Sequence, residues 1–211
     1  MNLTPFVMNT LFNVSDYVVF PKVFDDQTLD YWVEMMEEHE NDFEVAGVGG
    51  DSSDDSSTVP ETRNGIVKWF NYDTNDEFSS SLFREILNIT QDINDNYFRF
   101  DLTGFEMIQY TKYINAGDHY TWHCDKFETF AENNPNTFAC RKLSFSLLLN
   151  QQGLDFEEGT FWVNNSGNPI EVQADKGDLI VFPSFTLHKV APIKSGERKS
   201  LVWWCQGPKF R

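Results

Sequence analysis

The run His119-Tyr120-Thr121-Trp122-His123-Cys124-Asp125, read together with His188 and Arg198 further along, decides how this 211-residue chain is understood. In a strand, successive side chains point to opposite faces, so His123 and Asp125 project together and Cys124 projects away, into a core where a thiol is inert. Two imidazoles and a carboxylate on one side of a metal leave three positions open, the facial arrangement of non-haem iron sites. An isolated His-x-Asp is a weak signal. The conjunction with His188 and, ten residues on, Arg198 is what gives it weight. The competing reading makes the histidines ordinary core residues and Arg198 a surface cation.

Around that stretch the chain reads as mainly β. Short runs at 98–113, 120–125, 143–149, 160–163, 170–173, 178–182, 187–191 and 198–205 are separated by Gly, Pro and Asn, as in a jelly roll or barrel. On the last run, alternation places Arg198, Ser200, Val202 and Trp204 on one face.

Upstream, Tyr17-Val18-Val19-Phe20 reads as a first strand. Asp25-Asp26 caps a helix carrying Leu29, Trp32, Val33 and Met36 and running to about Glu40. His39, among glutamates, reads as a surface residue. Residues 43–48 suggest another strand. A second helix spans Ser79 to about Tyr97, with Leu82, Ile86, Ile89 and Ile93 on one stripe and Ser79 or Ser80 near its cap. Both helices are expected on the outer face of one sheet. Between strand-like segments, residues 46–62 form a polar, acidic stretch expected to be a mobile loop. Either it is a tolerated insertion or it is a flap over the site. The expected organisation is one domain over 1–211: support over 1–97 and the jelly-roll core over 98–211.

Thirty-three acidic against 16 basic residues give a net charge of −17. That field repels phosphate backbones, so nucleic acid is a disfavoured partner. Cationic peptides are attracted, although an acidic surface also serves solubility alone. No apolar run approaches the ~20 residues of a membrane span, and no secretory signal is visible at the start. Three cysteines, an odd number, fit a reducing compartment. The expected location is cytoplasmic.

The run Tyr113…Gly117…Tyr120…His123-x-Asp125, Arg141-x-Leu143-Ser144…Leu149-Asn150, Glu158-Gly159, Gly177-Asp178…Phe182-Pro183…His188…Pro192…Gly196…Arg198…Trp204 resembles the Fe(II)/2-oxoglutarate-dependent oxygenases of the prolyl 4-hydroxylase type. The resemblance covers roughly 17–205 and implies a double-stranded β-helix. It implies Fe(II) on His123, Asp125 and His188, and 2-oxoglutarate paired through its distal carboxylate with Arg198. Tyr113 and Tyr120 would line the cosubstrate pocket and Trp204 would pack beside it. It further implies O2 as the oxidant, ascorbate as the reductant, and succinate and CO2 as the co-products. The flap, followed by Arg63 and Trp69, resembles a substrate-covering loop, which makes a proline-containing peptide or protein the expected substrate. A free amino acid or other small molecule is the alternative, and a silent jelly-roll binding module a further one. Two departures stand out. Glu158 replaces one of the family's paired glycines and could face substrate. Leu148 stands where some relatives have a tyrosine, which leaves Ser146 as a substitute hydroxyl. Oligomeric state is not readable.

Overall fold

The sequence pattern separates into two sheets because inward and outward residues alternate along each long strand. The computed structural model of the chain describes residues 16–38, 43–47, 61–126, 128–131, 134–165 and 167–208, without the side chains of 128–139 and 165. A nine-stranded sheet follows the order β1 (Val18–Phe20), β13 (Leu179–Pro183), β9 (Asn134–Leu148), β16 (Arg198–Pro208), β6 (Ile108–Tyr113), β4 (Ile66–Phe70) and β2 (Glu44–Val45). To it β5 (Gly104–Phe105) adds on β16, and β8 (Glu128–Ala131) on β9. The facing sheet has the order β12 (Asn168–Val172), β11 (Phe161–Asn165), β14 (Leu187–Val190), β7 (His119–His123) and β3 (Arg63–Asn64). A ribbon of β10 (Phe156–Glu158) and β15 (Ile193–Gly196) stands apart. This is the expected jelly roll with two helices.

Helices α1 (Asp26–Glu37) and α2 (Glu77–Ile93) lie on the outer face of the large sheet. Leu29, Trp32 and Met36 of α1 and Leu82, Phe83, Ile86 and Ile93 of α2 share a core with Tyr110, Phe145, Leu147, Leu201 and Trp203. Trp203 stacks on Phe145 at 5.0 Å, and its indole donates to Thr90 Oγ1 at 2.9 Å. Each such buried side chain contributes roughly 1.5–3 kcal/mol. A second core fills the roll itself, built from Phe156, Phe161, Val163, Val172, Ile180, Phe182, Val190 and Ile193. Odd-numbered residues of β16 therefore meet the helices, and even-numbered ones meet the interior.

Several expectations shift. The α1 cap is Asp25, as read, accepting from Thr28 N at 2.7 Å, but the helix ends at Glu37. The α2 cap is Asp76, not a serine: it accepts from Phe78 N at 3.0 Å, while Ser79 Oγ donates to Asn71 O. Past Ile93 the chain widens into a π turn, Asn94–Phe98, closed by left-handed Arg99. Residues 61–70 form two strands in different sheets, β3 and β4. Gly65 makes the corner at φ +152°, where a Cβ would sit 2.9 Å from Lys112 O. His39, residue 48 and most of the 46–62 loop lie outside the described residues. Among the described residues no helix is long and apolar enough to cross a membrane.

Glu37, the last residue of α1, ties that helix to the sheet. It accepts from Tyr110 Oη at 2.8 Å and from Lys112 Nζ and Lys199 Nζ, both at 2.9 Å. Burial alone would raise its pKa, but Lys199, Lys112 and Tyr110 outweigh that and hold it at about 2. The stabilisation is therefore present above the ordinary carboxylate value of 4.5 and fades as pH falls toward 2. Glu37→Gln is expected to lower unfolding free energy at neutral pH by roughly 1–2 kcal/mol, allowing for the partial exposure of Glu37. Urea unfolding across the acid limb should show that deficit shrinking over the same interval. A deficit independent of pH would contradict the assignment.

Candidate metal centre and its cavity

His123 and His188 face each other directly across the β7–β14 pairing, so their rings lie 4.1 Å apart. The ladder is irregular immediately after, between His188 and Val190, which re-aims the strands beside the centre. Asp125 arrives differently than alternation suggests. Strand β7 ends at His123, and Asp125 turns in from the irregular segment beyond it. Its Oδ1 lies 3.6 Å from His123 Nε2 and its Oδ2 3.6 Å from His188 Nε2. The three donor atoms all lie within 4.8 Å of one another. At 3.6 Å the groups are beyond hydrogen-bonding range.

The far ring nitrogens fix the tautomers. His123 Nδ1 contacts Thr121 O at 2.7 Å, and His188 Nδ1 contacts Thr186 O at 2.9 Å. A carbonyl only accepts, so each Nδ1 carries the proton and each Nε2 presents a lone pair to the centre. Burial pushes the His188 pKa down to about 4, against the opposing pull of Asp125, which keeps the ring neutral. Burial works the other way on Asp125, yet His188 and His123 keep it below the usual carboxylate range. The indole of Trp204 lowers it further. Two imidazoles, each turning Nε2 to the centre, and an ionised carboxylate form a donor set suited to a divalent first-row ion.

The centre opens into a cavity of about 280 Å³. Arg198 is 3% exposed; one terminal nitrogen donates to Ser200 Oγ at 3.2 Å, and its buried Nε has no partner. Gly159, at φ +66°, leaves room for both Ile193 and the arginine: a Cβ there would stand 2.7 Å from Ile193 Cγ2 and 3.1 Å from Arg198 Cδ. Tyr113, Tyr120, Ser146, Trp204, Arg63 and Trp69 line the same cavity, as do Arg198 and the three metal-type residues. Tyr120 stacks on His123 at 3.4 Å.

Two expected positions differ. Glu158 is exposed, in left-handed backbone at φ +64°, and does not line the cavity. Cys124 is exposed rather than buried, with its thiol donating to Phe185 O at 3.2 Å. The physical reason is that the face holding His123 is the inside of the roll, so the opposite face looks outward. Partial burial, and the charge of Asp125, push that thiol's pKa up.

Sequence reasoning assigned no role to several cavity residues. Arg141 donates to both oxygens of Glu106, at 2.8 and 2.6 Å, and lies 4.1 Å over the Trp204 ring. Gln206 Nε2 holds Glu106 Oε1 at 2.7 Å. Phe182 and Phe161 pack on His188 at 4.5 and 5.4 Å. Gln109 and Thr111 join Tyr113 on the inner face of β6. Their alternation with Ile108 and Tyr110 was a usable signal: polar residues at every second position of a buried strand.

Residues 108–206 match the family model described as the 2OG-Fe(II) oxygenase superfamily. A PKHD-type hydroxylase of Prochlorococcus marinus is 36% identical over 92 residues, which is 43% of this chain and 38% of that relative. A second, from Synechococcus, is 32% identical over 93 residues, 44% of this chain and 38% of the relative. The chain thus spans well under half the length of these relatives. Among solved structures, a Pseudomonas putida prolyl-4-hydroxylase superposes with a TM-score of 0.67 at 18% identity, covering 93% of this chain and 95% of that one. A Trichoplax adhaerens prolyl hydroxylase, solved with a hypoxia inducible factor peptide fragment, gives 0.69 at 17% identity, covering 94% and 86%. Residues 108–206 are thus similar in sequence to the 2OG-Fe(II) oxygenase superfamily, and the chain shares its fold with prolyl 4-hydroxylase structures.

Proposed function

We propose that the chain is a single-domain dioxygenase that hydroxylates an unactivated C–H bond, most fittingly on a prolyl residue of a peptide or protein, in the cytoplasm. One observation carries this reading: the three metal-type donors and the guanidinium of Arg198, which has no anionic partner among the described residues, open into one cavity. A buried guanidinium lacking an anion is a receptor for one, and its planar fork matches a carboxylate with two parallel hydrogen bonds. Gly159 and Ser200 keep that fork in place.

His123, Asp125 and His188 are the residues to hold Fe(II), with Arg198 for the distal carboxylate of 2-oxoglutarate. When bound, iron, keto acid and O2 supply the oxidation: 2-oxoglutarate loses CO2 to become succinate, and one oxygen atom enters the substrate C–H bond. The chain's own work is orientation. Thr121 and Thr186 carbonyls fix the imidazole tautomers. Tyr113 and Ser146 offer hydroxyls beside the cosubstrate, and Tyr120 packs against His123. Phe161 and Phe182 shield His188 from water. Trp204, clamped beneath Arg141, and Trp69, 6.1 Å from it, form an aromatic wall suited to a pyrrolidine ring. Arg63 stands on the same side. Ascorbate is the fitting reductant to keep the iron ferrous.

Purified protein given Fe(II), ascorbate, 2-oxoglutarate and proline-containing peptides should form succinate together with a peptide heavier by one oxygen atom. Turnover confined to free amino acids would reassign the substrate. Failure to bind either iron or 2-oxoglutarate would reduce the chain to a binding module. Stripping metal with a chelator should abolish succinate formation, and adding Fe(II) should restore it. His123→Ala and His188→Ala are each expected to lose metal binding and turnover, and full activity in either would refute the centre. Arg198→Ala should raise the 2-oxoglutarate requirement about ten- to hundredfold, the worth of a buried charged hydrogen-bonded pair, while one equivalent of metal still binds.

A further inference from the structure

Three arginines line the cavity, and they differ in what neutralises them. Arg141 is paired with both oxygens of Glu106. Arg198 is assigned above to the cosubstrate. Arg63 is 9% exposed and has neutral acceptors only: Gly47 O at 3.1 Å and Gln109 Oε1 at 2.8 Å. Its guanidinium covers the Tyr120 ring at 4.6 Å, and its Nε is buried without an acceptor. Among the described residues no carboxylate pairs with it. Asp125, the carboxylate that lines the cavity, is turned toward the two imidazoles, 3.6 Å from each.

A guanidinium does not shed its proton on burial, and neutral acceptors only partly offset the lost hydration. With the centre filled, the two charges of Fe(II) and the one of Arg198 are cancelled by Asp125 and the keto diacid. Arg63 is the charge left over. It stands one ring from the metal centre, because the same Tyr120 it covers is stacked on His123.

We propose that Arg63 receives a carboxylate of the substrate, so that the enzyme selects a substrate bearing an acidic group beside the carbon it hydroxylates. The inference rests on the function proposed above and names the chemistry of its substrate. The carboxylate comes from a free carboxyl terminus or from an acidic side chain. The net charge of −17 acts in the opposite sense at long range. The cavity pair is local and buried, so its preference persists when salt screens the surface.

Matched proline-containing peptides test this: a free carboxyl terminus against its amide, and Asp against Asn beside the proline. Each is offered to protein holding Fe(II) and 2-oxoglutarate. Succinate formation gives kcat/KM, and peptide binding without oxygen gives Kd. The carboxylate member of one pair is expected to be favoured about ten- to hundredfold in both, and the pair that responds identifies the source. In Arg63→Met the discrimination should vanish, and in Arg63→Lys part of it should return. Equal treatment of both pairs by the wild-type protein overturns the proposal while leaving the hydroxylase standing. Discrimination that survives Arg63→Met overturns it too. So does a wild-type protein blind to the carboxylate that becomes selective once Asp51, Asp54 and Asp55 are changed to Asn, since the anion would then belong to the chain itself. Loss of iron or 2-oxoglutarate binding in the wild type would strike at the parent function instead.

Discussion

Side-chain alternation along β16 is the constraint on which the rest depends. Leu201, Trp203 and Cys205 enter the core beneath the helices, while Arg198, Ser200, Val202 and Trp204 line the cavity. The same division holds in β9, where Phe145 and Leu147 face the helices and Ser146 faces inward, and in β6, with Tyr110 against Gln109 and Thr111. A shift of one residue in register would turn Arg198 toward the end of α1, where Lys199 meets Glu37, and Trp203 into the cavity. The helices' apolar stripes therefore do more than stabilise. They hold the sheet in the register that keeps polar groups inside the roll.

Keeping such groups inside costs free energy, and the cavity handles that cost unevenly. The His188 ring is neutral because burial favours its uncharged form, and backbone carbonyls settle which nitrogen of each imidazole keeps the proton. Arg141 is satisfied by Glu106, and Glu106 in turn by Gln206. Arg198 and Arg63 are not satisfied, each keeping a buried Nε without an acceptor. Glu37, by contrast, is paired with two lysines. Two buried guanidiniums in one cavity, with no anion beside them among the described residues, mark where ligands complete the electrostatics.

Much of this was legible in the chain. The strand spacing gave the roll, the 3.6-residue stripes gave the two helices, and His123, Asp125, His188 and Arg198 carried enough spacing to stand as one site. Other features were not. The cap of α2 looked like serine because Ser79 and Ser80 are as competent as Asp76, and only the path of the preceding turn decides which hydroxyl or carboxylate reaches the first amides. Cys124 looked buried because alternation tells which residues share a face without telling which face is inside. Glu158 looked able to face substrate, but its left-handed backbone beside Gly159 carries it outward.

Local order, then, is what the sequence determined by itself: periodicity, face-sharing and the identity of the donor groups, all set by interactions between near neighbours. Convergence is what only the tertiary structure decided. His123 meets His188 through strand register across 65 positions, Asp125 joins them from beyond a strand end, and Arg63 reaches the same cavity by a glycine corner between two sheets. Those distances depend on long-range pairing and on the space left by packed side chains, quantities that no window of neighbouring residues contains.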